Sequence, residues 1–426
     1  MKKFLALIIA LVMALSLVAC GEQKQPDNTD DPDDGQQTAT VKVGFITLHD
    51  ENSTYDLNFI NAAKEAIANL GLTDADYILK TNVPEGQECY ETAMNLVDEG
   101  CNIIFADSFG HEPYMIDAAK EHPEVQFCHS TGTRAHTEKL ANYHNAFASI
   151  YEGRYLAGIA AGLKLNEMIE AGKFTADEAK MGYVGAFTYA EVVSGYTSFF
   201  LGARSVCPTV TMDVTFTGSW YDETLEKEGA EKLIQGGCKL ISQHADSLGA
   251  PTACENAGVP NVSYNGSTKD SCPNTFIVSS RIDWAPYYEM CIKAVMDGTE
   301  IPADWTGTLA TGSVVLTDVN ETAAAAGTAE AIAAATEKLE KGEIHVFDCA
   351  NFTTKVDDKV NTFKADYLKL DEAGHITSYM ADVDTDAAYT GDTEVIKDGY
   401  FAESEFRSAP YFDLQIDGIN LLDTKM

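Results

Sequence analysis

The sequence predicts an α/β fold of two similar lobes, each built on an open, parallel sheet. Three observations carry this. The chain has 426 residues, too many for one ordinary domain of roughly 100 to 200 residues. Short apolar runs alternate with amphipathic ones along most of its length, and the same rhythm starts again after residue 150. A repeated strand, helix, strand order means parallel pairing through right-handed crossovers.

Taken in order, 41–48 (VKVGFITL) reads as a buried strand. Residues 56–71 form a helix capped by Asp56, with Phe59, Ala63, Ala66, Ile67 and Leu70 at helical spacing and Gly71 as the stop. A strand at 77–79, a helix at 89–100, a strand at 102–107, a helix at 111–123 and a strand at 125–130 continue the first lobe. The second begins with a helix at 151–164 and a strand at 180–186. Helices at 191–207, 222–235 and 251–257 then alternate with strands at 210–218, 239–244 and 261–266. Residues 306–320 read as strands and 322–347 as an Ala-rich helix followed by a strand. The stretch 353–426 holds further strand-like runs, among them KADYLKL, HITSYM and a terminal SAPYFDLQIDGI, which read as strands appended to the second lobe.

The start of the chain speaks to location. Lys2 and Lys3 precede an apolar run, 4–18, that is too short to be a stable membrane span and reads as a secretory signal over 1–19. Its ending, Leu-Val-Ala-Cys-Gly, resembles the bacterial lipobox. That resemblance implies a lipid on Cys20, which would tether the protein to the outer face of the cytoplasmic membrane. Residues 20–40 lack large apolar side chains and carry five Asp, so they read as a disordered acidic tether. The whole chain has a formal charge of −37, which repels polyphosphate and argues against a nucleic-acid partner. Nine cysteines besides Cys20, without CxxC spacing, suggest buried thiols rather than a disulfide framework or zinc site.

In parallel sheets ligands bind beyond the carboxyl ends of the strands, so the loops at 49–56, 108–113, 186–192, 218–223, 244–250 and 265–270 are the place to look. They are rich in aromatic, acidic, amide and hydroxyl groups, a set suited to a flat, uncharged ligand stacked between rings. No GxGxxG, GxxxxGK[ST], HExxH or GxSxG pattern occurs in them. His49, His111, His129 and His244 fall at strand ends; lacking a short ligand spacing, they read as separate polar residues rather than a metal site.

Several segments in order carry a family resemblance: KVGFIT, the helix FINAA, GCNIIFADSFGHEPYMIDAAKEHPEVQFCHSTG, YEGRYLAGIAAG, KMGYVGAFTYAEVVSGYTSFFLGARSV and SWYDETLEKEGAEKLIQGGCKLISQHADS. Together they resemble the basic membrane protein (BMP) family of substrate-binding lipoproteins. The resemblance implies a type I periplasmic-binding-protein fold: two Rossmann-like lobes joined by a three-segment hinge. It implies no catalysis and delivery of purine nucleosides or bases to an ABC importer, the lobes closing on the ligand; no cofactor is expected, and a tethered two-lobed binder is expected to act as a monomer. Hinge crossings are expected near Ala146, Ser280 and Asp304. They divide the chain into 41–145 with 281–303 and 146–280 with 304–426. Within the family the loops SFG, SWYD and QHADS resemble a branch expected to bind a free purine base such as adenine. Nucleoside binders carry a Lys before the position of Arg281 and an Asp where Asn265 stands, both suited to ribose; here Ser280 precedes Arg281.

The candidate ligand residues each have two readings. Trp220 is the leading stacking residue. Tyr55 and Phe109 either close the other face of the ligand or pack locally. Asp246, with His244, either accepts from a purine N–H or caps the helix that follows. Asn52 and Asn265 suit a purine edge but also ordinary turns. Asp56 and Asp222 read first as helix N-caps, and Glu191 either points into the cleft or stabilises a helix start. Two other functions stay open: a lipoprotein that senses the ligand for a membrane receptor, and a nucleoside hydrolase or phosphorylase using Asp246 with His244.

Overall fold

A computed structural model describes residues 41–383 and 393–425. The signal at 1–19 and the tether at 20–40, with Cys20, lie outside these residues. The first sheet holds β1 (Val43–Ile46), β2 (Tyr77–Lys80), β3 (Ile103–Ala106), β4 (Gln126–Ser130), β5 (Tyr143–Ala148) and, from far along the chain, β11 (Asp304–Gly307). All pairs are parallel, in the order β2-β1-β3-β4-β5-β11. β1 and β3 are buried at every position, because helices cover both faces. Phe45, Ile103 and Phe105 point to one core with α1 (Thr54–Asn69) and α9 (Ala285–Asp297). Ile46, Ile104 and Ala106 point to the other, under α2 (Gln87–Asp98) and α3 (Glu112–Glu121). A short α4 (Ala135–Glu138) lies between β4 and β5.

The second sheet runs β12-β10-β9-β8-β6-β7-β18. Its strands are β6 (Lys180–Gly185), β7 (Thr211–Phe216), β8 (Leu240–His244), β9 (Asn261–Tyr264), β10 (Phe276–Ile282), β12 (Val314–Leu316) and β18 (Ile419–Leu421). Only β12, on β10, is antiparallel. α7 (Glu223–Gln235) and α8 (Gly249–Ala257) cover one face. α5 (Ile150–Glu170) and α6 (Ala190–Val206) cover the other, where they share a core with α10 (Thr328–Glu340) and the C-terminal segment. α5 and α6 cross at backbone contact. A Cβ on Gly158 would stand 2.0 Å from the Phe199 carbonyl oxygen, and one on Gly202 would stand 2.0 Å from that of Tyr155.

The chain passes between the sheets three times. β5 and β11 belong wholly to the first sheet and β10 to the second, so the passages follow Ala148, Ile282 and Gly307, each two or three residues beyond Ala146, Ser280 and Asp304. The strands run on as long as ladder bonds are available. After the second passage, Trp284, Tyr287 and Tyr288 pack against Phe45, Phe59 and Phe105, which returns α9 to the first lobe.

Several expected elements differ. Ser53, not Asp56, is the N-cap of α1: its hydroxyl accepts from the Asp56 N–H, and Asp56 sits in the first turn. The Ala-rich helix begins only at Thr328, after Gly327 at φ 79°. The strand expected to follow it is reduced to one bridge between Asp348 and Tyr400. In the C-terminal stretch, β13 (Leu368–Leu370), β14 (Ile376–Ala381) and β15 (Thr393–Glu394) form a separate antiparallel sheet, and β16 (Ile396–Lys397) with β17 (Tyr400–Phe401) a second one. Of SAPYFDLQIDGI only its last residue, Ile419, enters a strand. Outside a ladder, Tyr411, Phe412, Leu414 and Ile416 are buried and fill the second-lobe core, while Asp417 and Gly418 are exposed. Apolar spacing there reports burial, not pairing. The nine described cysteines are buried and unpaired.

Candidate ligand-binding site

The carboxyl ends of both sheets face one narrow pocket. From the first lobe come Leu48 and His49 after β1, Tyr55 and Asp56 on the first turn of α1, Ser108 and Phe109 after β3, and Thr131 after β4. From the second come Glu191 at the start of α6, Trp220 after β7, His244 and Asp246 at the end of β8, and Tyr264 at the end of β9. The lobes touch across it. The Thr54 N–H and Oγ1 both donate to the Asp246 carbonyl, at 3.1 and 3.2 Å. The rings of His49 and Tyr221 stand 5.4 Å apart, as do those of Phe109 and Tyr189.

Asp56 is the more constrained of the two central carboxyls. It accepts from the His49 N–H at 2.8 Å and from Ser53 Oγ at 2.5 Å, and lies 3.3 Å from His49 Nδ1. Burial alone would raise its pKa, but these bonds from His49 and Ser53 outweigh it and hold the carboxyl below the ordinary value. Asp246 is the opposite case. Its side chain accepts one long bond, 3.4 Å from Asn265 Nδ2. Burial, then the charges of Asp56, Glu226 and Glu191, push its pKa well above the carboxylate range. Asp107 behaves likewise: burial, then Asp56, raise it, and one of its oxygens has no partner.

Aromatic rings complete the walls. Trp220 is braced by Phe187, edge-on at 5.1 Å, and by Tyr189. The Tyr55 hydroxyl donates to the Asp107 carbonyl at 2.7 Å, which fixes its ring beside Phe59. Beneath the second-lobe wall lies Arg154, fully buried on α5, with its guanidinium over the Tyr264 ring and bonded to Ser242, Ser263, Ser280 and the Tyr183 hydroxyl. His244 lies between Glu191 Oε1 at 3.3 Å and the Tyr183 hydroxyl at 3.4 Å. Burial lowers its pKa, with Glu191 opposing.

Of the residues singled out in the sequence, Tyr55, Asp56, Phe109, Glu191, Trp220, His244 and Asp246 line the pocket. Three do not. Asn52 is exposed and bonds to Asp50. Asp222 is the N-cap of α7, accepting from the Leu225 N–H at 2.9 Å. Asn265, at φ 67°, stands behind Asp246, and Ser280 is bonded to Arg154. Asp246 is not the cap of α8, whose N-cap position is Leu248. Leu48, His49, Ser108, Thr131 and Tyr264 were not among the candidates. Their shared signal is position: each ends a parallel strand or follows it within three residues. Among the described residues no group of three His, Cys, Asp or Glu side chains could hold a metal ion, and His244 pairs with Glu191 rather than with Asp246.

Two lobes around a strand-end cleft, with a chain that crosses between them three times, define the type I periplasmic-binding-protein fold. Solved structures agree on the fold. An ABC transporter solute-binding protein of Conexibacter woesei superposes with a TM-score of 0.59 at 19% identity, over 72% of this chain and 98% of that one. One of Aeropyrum pernix gives 0.59 at 19%, over 76% and 96%. The chain belongs to the family of PnrA-like ABC transporter substrate-binding proteins, matched over residues 44–348. Among curated relatives, a purine-binding protein of Brucella abortus is 32% identical over 61% of this chain and 70% of its own length. One of Haloferax volcanii, provisionally described as an ABC transporter glucose-binding protein, is 33% identical over 48% and 49%. A nucleoside-binding protein of Lactococcus lactis is 22% identical over 58% and 67%. The family is one of solute-binding proteins, not of enzymes, and it implies a small-molecule ligand and an ABC permease partner.

Proposed function

We propose that the protein captures a purine base or purine nucleoside by closure of its two lobes and presents it to an ABC importer, without chemical change. Asp246 carries the reading: a buried carboxyl with one long internal hydrogen bond, facing a pocket walled by aromatic rings. A ring N–H or exocyclic amine would supply the missing donor, and Trp220, Tyr55 or Phe109 the stacking surface. The purine- and nucleoside-binding relatives support the same ligand class. The lipobox-like ending supports attachment through Cys20 to the extracytoplasmic face of the membrane; loss of lipid labelling in Cys20→Ala tests that part.

A sugar is the second reading, favoured by the relative provisionally described as glucose-binding. Calorimetry of the full-length protein against adenine, adenosine, guanosine and glucose separates the two. Binding of a purine with no response to glucose supports the proposal, and glucose binding with no purine response overturns it.

A further inference from the structure

The second-lobe wall rests on a buried cation that has no carboxylate beside it. Arg154, on α5, is fully buried under the second sheet. Its guanidinium lies over the rings of Phe199, Tyr264 and Tyr183, at 4.9, 5.1 and 5.5 Å. Nη1 donates to the Ser263 carbonyl at 3.2 Å and to Ser280 Oγ at 3.4 Å, and Nη2 to Ser242 Oγ at 2.8 Å and to the Tyr183 hydroxyl oxygen at 3.1 Å. None of these acceptors is an anion, and Nε has no partner. A charge taken out of water is costly unless its surroundings answer it, so the bonds leading away from Arg154 show what the charge is used for.

Donor and acceptor roles give those bonds a direction. A guanidinium only donates. The Tyr183 oxygen that accepts from Nη2 therefore turns its own proton elsewhere, and His244 Nδ1 stands 3.4 Å away to take it. An Nδ1 that accepts leaves the ring proton on Nε2, which faces Glu191 Oε1 at 3.3 Å. Glu191 Oε2 is left to the pocket that Glu191 lines. The fold makes room for this ring. Gly195 lies inside α6, where a helix favours Ala, and a Cβ there would stand 2.6 Å from His244 Nδ1. The charged and titratable groups around His244 are Arg154 from α5, Tyr183 from β6, Glu191 from α6, Tyr264 from β9 and, on its own loop, Asp246. Burial lowers the pKa of the ring, Glu191 opposes, and the Arg154 charge adds to burial.

We propose that Arg154 is a positioning residue of the ligand pocket: by occupying the Tyr183 oxygen it leaves His244 Nδ1 as an acceptor, keeps the ring from becoming the counter-ion of Glu191, and so reserves the Glu191 carboxylate for N–H donors of the ligand. The part played in capture rests on the purine reading; the relay from Arg154 to Glu191 does not. Ring-nitrogen NMR spectra of the unliganded full-length protein test the relay, with the His244 signals identified by their loss in His244→Gln. His244 should be the neutral Nε2–H tautomer from pH 7.5 to 5.5. In Arg154→Met the freed Tyr183 oxygen can accept from a protonated Nδ1, so the ring should take up a proton within that range. Tyr183→Phe, which keeps the aromatic packing and carries the test if the first variant does not fold, should shift the titration in the same direction. Calorimetry with adenine and adenosine reads the consequence. The affinity deficit of either variant against the parent protein should widen from less than about threefold at pH 7.5 to ~10-fold at pH 5.5, as the imidazolium pairs with Glu191. An Nδ1–H tautomer or an imidazolium in the parent protein, or a ring that titrates alike in the parent and both variants, would overturn the relay. A deficit that stays level with pH would overturn its part in capture. Silence of the parent protein toward both purines would overturn the purine reading, while the spectra still decide the relay.

Discussion

The two walls of the cleft treat their carboxyls in opposite ways. On the first lobe, Asp56 is surrounded by donors from the same turn, Ser53 and His49, and is held ionised. On the second, Asp246 has one long bond and is held towards its neutral form by burial and by the anions around it. A carboxylate whose bonding capacity is used internally shapes the wall, whereas one left short of donors gains most from a ligand that brings them. The first wall is thus built for rigidity at this point and the second for recognition.

That contrast can be broken most directly by exchanging the two sites. Asp246→Ala should weaken purine binding by ~5- to 100-fold, because a buried ligand N–H left without its acceptor costs ~1–3 kcal/mol. The melting temperature of the unliganded protein should stay level or rise. Asp56→Ala should instead lower the melting temperature, because the His49 N–H and the Ser53 hydroxyl lose their acceptor at a cost of ~1–3 kcal/mol. If both variants act alike in calorimetry and thermal unfolding, the distinction between the walls fails.

Trp220→Ala sharpens the same comparison on the aromatic side. Stacking of a base on an aromatic ring is worth ~1–3 kcal/mol, so affinity should fall about tenfold on loss of this ring, which is braced by Phe187 and Tyr189 and packs against the second-lobe core. The pH profile comes next. Burial raises Glu152, Glu226 and Glu403 each to about 7 and puts Asp246 and Asp107 well above the usual range. From pH 4.5 to 7 the unfolded chain has already released these protons while the folded protein keeps them, so the contribution of these carboxyls to stability should fall as pH rises through that window. Asp56 acts in the other direction, its contribution disappearing as pH drops below 4. The buried histidines His111, His129, His144 and His244, whose pKa values burial lowers, act in the opposite sense to the raised carboxyls over the same window, so the test is a difference profile: Glu226→Gln should gain stability relative to the parent protein as pH rises from 5 to 7, and a difference that stays level would contradict this. The smallest effects are expected outside the pocket. Asp222→Ala should cost ~1 kcal/mol of stability through the lost helix cap, and Asn52→Ala should be silent, neither altering affinity in the same titrations.

Much of the site was legible in the sequence because position in a parallel sheet is a sequence property. Glu191, Trp220 and Asp246 stand just past strands whose apolar runs are unmistakable. Thr131 was not legible, because what brings it to the pocket is a positive φ immediately after β4. Nor was Tyr264, whose facing depends on the register of β9 against β10. Asp56 shows how fine the margin is. Three residues decide whether a carboxylate caps a helix or lines a pocket, and Ser53 is the one that caps it.

The sequence by itself determined the two-lobed α/β plan, the strand-end loops and the family, because alternation and helical period are local consequences of burying one face. Only the tertiary structure decided the rest: the hinge passages at Ala148, Ile282 and Gly307, the opposite states of Asp56 and Asp246, and the packing of Tyr411, Phe412, Leu414 and Ile416 into the second-lobe core where 408–419 was expected to form a strand. Each of these depends on which partner a side chain or backbone group meets from a distant part of the chain. The energy of a buried polar group is set by that partner, not by its neighbours in sequence.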